Sequence, residues 1–227
     1  MVLAASSMVN VLSETRKPFL ATHPCVGDLT FSFGSSATLA TQIVNGSPAD
    51  VFIAASEATM KVVQEAGVAS SSQVFAKNIA AIMIGKTSKF AGFIGGINDL
   101  ADTTHSGIAV GVCVASAPCG VVADAVLTKV GLSRTVIADT ETQSVEDLVT
   151  KIELGELDAG IVYQSDCQHV ATSSDALCIS IPMTENATTG YFVAALNRKM
   201  AVQEFVDYIN GSGFKNMLQA KYGFLTP

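Results

Sequence analysis

Apolar residues along the chain fall in two patterns. Short continuous runs predict strands buried on both faces, and apolar residues recurring every three or four positions predict helices. Strand-like runs occupy residues 2–5, 29–33, 51–55, 79–84, 108–114, 135–138, 159–163, 177–181 and 191–196. Met8, Leu12, Thr15 and Phe19 fall on one helical face, although Pro18 inside that pattern should kink or end the helix. Leu39 and Ile43 mark a helix stopped by Gly46, and residues 57–66 a helix closed by Gly67. After a loop rich in Gly and Lys, residues 98–101 read as a helical turn. Further helices are predicted at 120–130 before Gly131, around Val145, Leu148, Val149 and Ile152 before Gly155, at 202–209, and at 213–222 before Gly223. Repeated strand–helix alternation predicts an α/β fold with mostly parallel sheets.

A chain of 227 residues makes one large domain or two small ones. It is 49% hydrophobic and 15% charged, with a mean hydropathy of +0.42, which excludes disorder. No stretch reaches the length of about 18 uninterrupted apolar residues that a membrane span needs. The net charge is −7 and the 13 Lys and Arg form no basic cluster, which argues against nucleic acid and against an anionic membrane surface. The apolar start, Val2 to Ala5, is too short for the core of a signal peptide. The sequence therefore reads as a cytosolic protein or as one whose export signal has been removed.

The cysteines are Cys25, Cys113, Cys119, Cys167 and Cys178. Their spacings are not zinc spacings. The last four could close two short disulfide loops, leaving Cys25 over, or all five could be buried thiols in a reducing compartment. Nothing in the spacing chooses between these.

Three strand-to-helix junctions carry small residues: Ser6-Ser7, Ser35-Ser36 and Ala117-Pro118-Cys119-Gly120. Each offers free N–H groups and the positive end of a helix dipole, and serine adds a hydroxyl donor. Lys and Arg are absent between residues 18 and 60, 90 and 128, 135 and 150, and 152 and 197. An anion bound at these junctions would be held by neutral dipoles unless a distant basic residue folds in. Such a site suits a fully deprotonated oxyanion, because a protonated one also needs an acceptor. Neither common nucleotide fingerprint is present, and there is no Gly-x-Ser-x-Gly elbow. Cys119 at a helix start could be an activated nucleophile, but His23, His105 and His169 lie in unrelated polar segments and are expected to be solvent-exposed. No cluster of carboxylates or other ligands points to a metal cation, and no catalytic residue is assigned.

Four segments resemble the molybdate-binding proteins of bacterial molybdate ABC transporters. They are Leu3-Ala-Ala-Ser-Ser7-Met; Phe31-Ser-Phe-Gly-Ser-Ser36-Ala-Thr-Leu-Ala-Thr-Gln-Ile43 with Gly46-Ser-Pro-Ala-Asp-Val-Phe-Ile53; Ala117-Pro-Cys-Gly120; and Leu154-Gly-Glu-Leu-Asp-Ala-Gly-Ile-Val-Tyr163. Lys221-Tyr-Gly-Phe224 also fits, so the resemblance is colinear over essentially the whole chain. It implies an α/β, type II periplasmic-binding-protein fold: two lobes joined by two crossing strands, with the ligand in the cleft. Lobe 1 would be residues 1–78 plus 187–227 and lobe 2 residues 79–186, with crossings near 78–81 and 186–190. The implied oxyanion contacts are hydroxyl and N–H of Ser7 and Ser36, the N–H groups of Cys119 and Val145, and the phenolic O–H of Tyr163. Ser6 and Cys119 stand where the family more often has Ala. The cysteines flanking this turn resemble a variant of the family and imply a Cys113–Cys119 disulfide. The resemblance further implies an extracytoplasmic, non-enzymatic monomer that takes molybdate or tungstate, needs no cofactor, and delivers its ligand to the membrane permease of an ABC importer. Two alternatives stand beside it: the same fold carrying another oxyanion such as sulfate, and an enzyme using Cys119 or a serine as nucleophile.

Overall fold

The computed structural model describes residues 1–101, 107–173 and 176–227. The chain forms two compact units, one of residues 1–77 and 189–227, the other of residues 78–188.

In the first unit, β1 (Val2–Ala5) lies parallel to both β2 (Phe31–Gly34) and β3 (Val51–Ala54). β9 (Thr188–Ala195) runs antiparallel to β3. The period-2 alternation of a strand sends neighbouring residues to opposite faces. Val2, Ala4, Val51 and Ile53 join one core, while Leu3, Phe52 and Ala54 join another. The first core is covered by α1 (Val9–Thr22), α8 (Met200–Asn210) and α9 (Ser212–Tyr222), through Leu12, Phe19, Phe205, Phe214 and Leu218. The second is covered by α2 (Ser36–Val44) and α3 (Glu57–Glu65), through Leu39, Ile43, Met60 and Val63. β1 and β3 are buried on both faces, which is why they read as unbroken apolar runs.

In the second unit, β5 (Val110–Cys113) lies parallel to β6 (Thr140–Thr142) and β7 (Ala159–Tyr163). β4 (Gln73–Gly85) enters from the first unit and pairs antiparallel with β7 and with β8 (Ala176–Ser180). The helices are α4 (Pro118–Lys129), α5 (Arg134–Ile137), α6 (Val145–Glu153) and α7 (Gln164–Ser173). Buried Asn186 closes this unit: its Oδ1 accepts from the N–H groups of Ala80 and Ala187, and its Nδ2 donates to the carbonyls of Ala80 and Ile181.

Several expectations are corrected. Pro18 does not end the first helix. It is exposed on α1, where the Glu14 carbonyl that its missing N–H leaves over can be hydrated. Residues 135–138 are not a strand. They form the turn of helix α5 with Val136 exposed, and the strand lies at β6, whose Thr-Glu-Thr edge position demands no apolar run. The sheets are mixed rather than mostly parallel, because periodicity carries no information on the direction of strands that pair from far apart in sequence. α7 escaped prediction: its sequence is polar, and it is fastened by the Cys167–Cys178 disulfide. Cys113 and Cys119 are also joined, and Cys25 is free and exposed, so the disulfide alternative is the one realised.

Candidate functional site

Pairing in the first unit sets Ala5 opposite Gly34 and Ala4 opposite Ile53. The carboxyl ends of β2, β1 and β3 therefore lie side by side, and ligands in open α/β sheets bind at such ends. A 3-10 turn, Ser6–Met8, leaves β1 and leads into α1. Ser36 opens α2 directly after β2. Ser7 is 6% exposed and Ser36 2%. Ser36 Oγ accepts the N–H of Ala55 at 3.0 Å, just past the end of β3. Thr189 Oγ1 donates to the carbonyl of the same Ala55 at 2.5 Å. Ser7 Oγ shares a 2.6 Å hydrogen bond with the hydroxyl of Tyr191 on β9. The structure thus groups Ser7 and Ser36 and adds two partners, Ala55 and Tyr191, that the sequence did not signal. Neither a backbone N–H nor a tyrosine inside an apolar strand has any pattern to announce it.

The second unit repeats the arrangement. Cys113 lies opposite Thr142, and Gly111 opposite Gly160, which aligns the carboxyl ends of β6, β5 and β7. Cys119 is the second residue of α4, Val145 the first of α6, and Tyr163 the last of β7. All three are buried. The first-turn N–H groups of a helix have no intrahelical partner, so α4 and α6 both present donors at this end. Ser144 caps α6, accepting the N–H of Asp147 at 3.2 Å. Close glycine contacts draw α6 onto the sheet: a Cβ on Gly111 would meet Leu148 Cδ1 at 2.5 Å, and one on Gly160 would meet Ile152 Cδ1 at 2.9 Å.

One distant basic residue does fold in. Arg134 of α5 donates to Asp124 Oδ1 on α4 at 3.0 Å through Nε, and its Nη2 lies 2.9 Å from the same oxygen. Its Nη1 reaches Glu141 Oε1 on β6 at 3.1 Å and the Cys113 carbonyl. Nη2 also donates to the Gly120 carbonyl at 3.2 Å. The guanidinium is neutralised by two carboxylates and binds the start of α4 to the ends of β5 and β6.

Burial pushes the Asp166 carboxyl up to about 8, with a further rise from Glu146 and an opposing contribution from the Tyr163 N–H, which donates to Asp166 Oδ2 at 3.3 Å. Burial and neighbouring Asp147 also raise Glu146. At neutral pH Asp166 therefore holds its proton and adds little negative charge beside Tyr163.

The cysteine form of the catalytic alternative loses its nucleophile, because Cys119 Sγ is consumed in the disulfide. His23, expected in solvent, is half-buried and stacked on Phe19 with ring centroids 4.2 Å apart. His169 is exposed, and His105 lies outside the described residues. Among the described residues, no group of three or more His, Cys, Asp or Glu is placed to hold a metal ion, and no helix is long and apolar enough to cross a membrane.

The family model of bacterial extracellular solute-binding proteins matches residues 1–225. The molybdate-binding protein ModA of Mycobacterium tuberculosis is 32% identical over 230 residues, covering 100% of this chain and 84% of that protein. The periplasmic molybdate-binding protein of Azotobacter vinelandii has a similar structure, with a TM-score of 0.85 at 19% identity, covering 100% of this chain and 98% of that one. The sulfate-binding protein SubI of Mycobacterium tuberculosis superposes with a TM-score of 0.84 at 15% identity, covering 98% of this chain and 85% of that one. These two structures share the periplasmic-binding-protein fold with this chain. Their nearly equal TM-scores leave the fold unable to select an anion.

Proposed function

The chain belongs to the bacterial extracellular solute-binding proteins, and from that premise we propose that it captures molybdate or tungstate for an ABC importer. The observation that carries this reading is the pairing of neutral donors with missing cations. In each unit the carboxyl ends of three parallel strands gather buried hydroxyls or helix-start N–H groups. The flanking segments hold no Lys or Arg, and Arg134 is already paired with Asp124 and Glu141. Neutral donors suit a dianion that carries no proton of its own. Full-length similarity to a molybdate-binding protein supports molybdate over sulfate, since the sulfate-binding relative shares the fold alone.

The donor set is Ser7 and Ser36 through hydroxyl and N–H, Cys119 and Val145 through N–H, and Tyr163 through its phenol. The protein works outside the cytoplasm, where both disulfides persist. It acts without catalysis or cofactor, as a monomer with one site, and hands its ligand to the membrane permease of the importer. Calorimetric titration with molybdate, tungstate, sulfate and phosphate in parallel tests the reading. One tight site for molybdate and tungstate, with sulfate and phosphate much weaker, is the expected result. Equal affinity for sulfate, or heat with phosphate alone, overturns it.

A further inference from the structure

Both buried serines of the first unit are engaged by a neighbour. Ser36 Oγ accepts from a backbone N–H, that of Ala55, which can only donate. Ser36 therefore keeps its own proton to give away. Ser7 meets the Tyr191 hydroxyl at 2.6 Å, and Tyr191 is fully buried among Phe75 and Phe224. A phenol, with a pKa near 10, is far more acidic than an aliphatic hydroxyl and is the better donor of the pair. When Tyr191 donates, Ser7 is placed like Ser36, with its own O–H left to offer. A buried hydroxyl that accepts one hydrogen bond while donating another is polarised and donates more strongly.

We propose that Tyr191 is a positioning residue for anion binding: its phenolic O–H donates to Ser7 Oγ and directs the Ser7 proton to the bound oxyanion. This rests on the oxyanion-capture reading above. Tyr191 lies on β9, 184 positions away from Ser7 in sequence, and it acts through that serine.

A double-mutant cycle tests it, with molybdate titrated into the parent, Tyr191→Phe, Ser7→Ala and the double variant. Tyr191→Phe keeps the ring and removes the hydroxyl. It is expected to weaken molybdate about five- to tenfold in the parent background. In the Ser7→Ala background it should change affinity by less than about twofold, because the residue it acts through is gone. Equal losses in both backgrounds, or parent-like binding by Tyr191→Phe, overturn the assignment. A second measurement keeps ring and hydroxyl together: 3-fluorotyrosine placed at Tyr191 by codon suppression makes the phenol a stronger donor. Molybdate binding should tighten, a sign that loss of packing does not produce, and weakened or unchanged binding overturns the proposal. A parent protein that gives no heat with molybdate overturns the capture reading and this inference together. A binding parent with additive losses overturns the inference alone.

Discussion

Gly120 packs against the backbone of Val114 so closely that a Cβ would stand 2.0 Å from the Val114 carbonyl oxygen. Cys113 O lies 2.8 Å from the same point. The obstacle is backbone, which cannot rotate away as a side chain can. This contact sets the first turn of α4, and with it the Cys119 N–H, at the end of β5.

Gly120→Ala should therefore cost about 3 kcal/mol of stability, the upper range for forcing extra atoms into a packed interior. Molybdate affinity should fall with it, because α4 must move off β5. Urea unfolding and anion titration of the same preparation check both. A variant with parent stability would show that α4 is free to shift.

Side-chain donors and backbone donors should respond differently to truncation. Ser36→Ala and Tyr163→Phe should each weaken molybdate by about 1.5–3 kcal/mol, the range for a hydrogen bond to a charged group. That corresponds to roughly ten- to over a hundredfold in Kd. Cys119→Ala should cost much less, apart from what the broken disulfide contributes, since its N–H remains. An enzyme with Cys119 as nucleophile reverses that order. Titration of the three variants in one buffer decides.

Arg134→Ala should destabilise the second unit by about 2 kcal/mol: the guanidinium is largely buried but both carboxylates are exposed, so most of the loss comes from backbone carbonyls left without their donor. Two carboxylates and the carbonyls of Cys113 and Gly120 lose their shared donor. Arg134→Lys should recover less than half of the loss, because one ammonium cannot replace a planar fork that spans both sides. Chemical denaturation of the two variants provides the comparison.

Asp166 gives the stability a pH dependence whose sign is fixed. Its folded pKa, about 8, lies above the ordinary 3.8, so the native state holds the proton more tightly. Its contribution is fully present below about pH 4, declines as pH rises, and is lost once pH passes about 8. Asp166→Asn can still accept from the Tyr163 N–H but cannot ionise. The parent should lose at least about 1 kcal/mol more than this variant between pH 5 and pH 8. Melting curves across that range are the check, and parallel pH profiles would falsify the buried neutral acid.

Cys113–Cys119 and Cys167–Cys178 close loops of sequence separation 6 and 11. Each should contribute roughly 2–3 kcal/mol in the chain-entropy model. Non-reducing peptide maps should show both pairs with Cys25 as the free thiol, and a reductant should lower the melting temperature in two separable steps.

The alternation of apolar runs and helical faces was enough to specify an α/β chain. β1, β3 and β7 are buried on both faces, so burial wrote an unbroken apolar run into each of them. Gly67, Gly131, Gly155 and Gly223 mark real helix ends, because each adopts a positive φ that a side chain would strain. Ser7, Ser36 and Cys119 were legible as candidates because they sit at local strand-to-helix junctions, whereas Val145 and Tyr163 were reached only through the resemblance to the molybdate-binding proteins. What tertiary structure decided was everything that joins residues remote in sequence. It set β6 on a Thr-Glu-Thr edge, turned 134–137 into a helix, and ran β9 antiparallel to β3. It brought Tyr191 to Ser7, Ala55 to Ser36 and Arg134 to Cys113. A local pattern records only whether a residue is buried and how often its neighbours repeat. Which distant atom fills its hydrogen bond depends on strand order and register, and those are settled only when the sheets assemble.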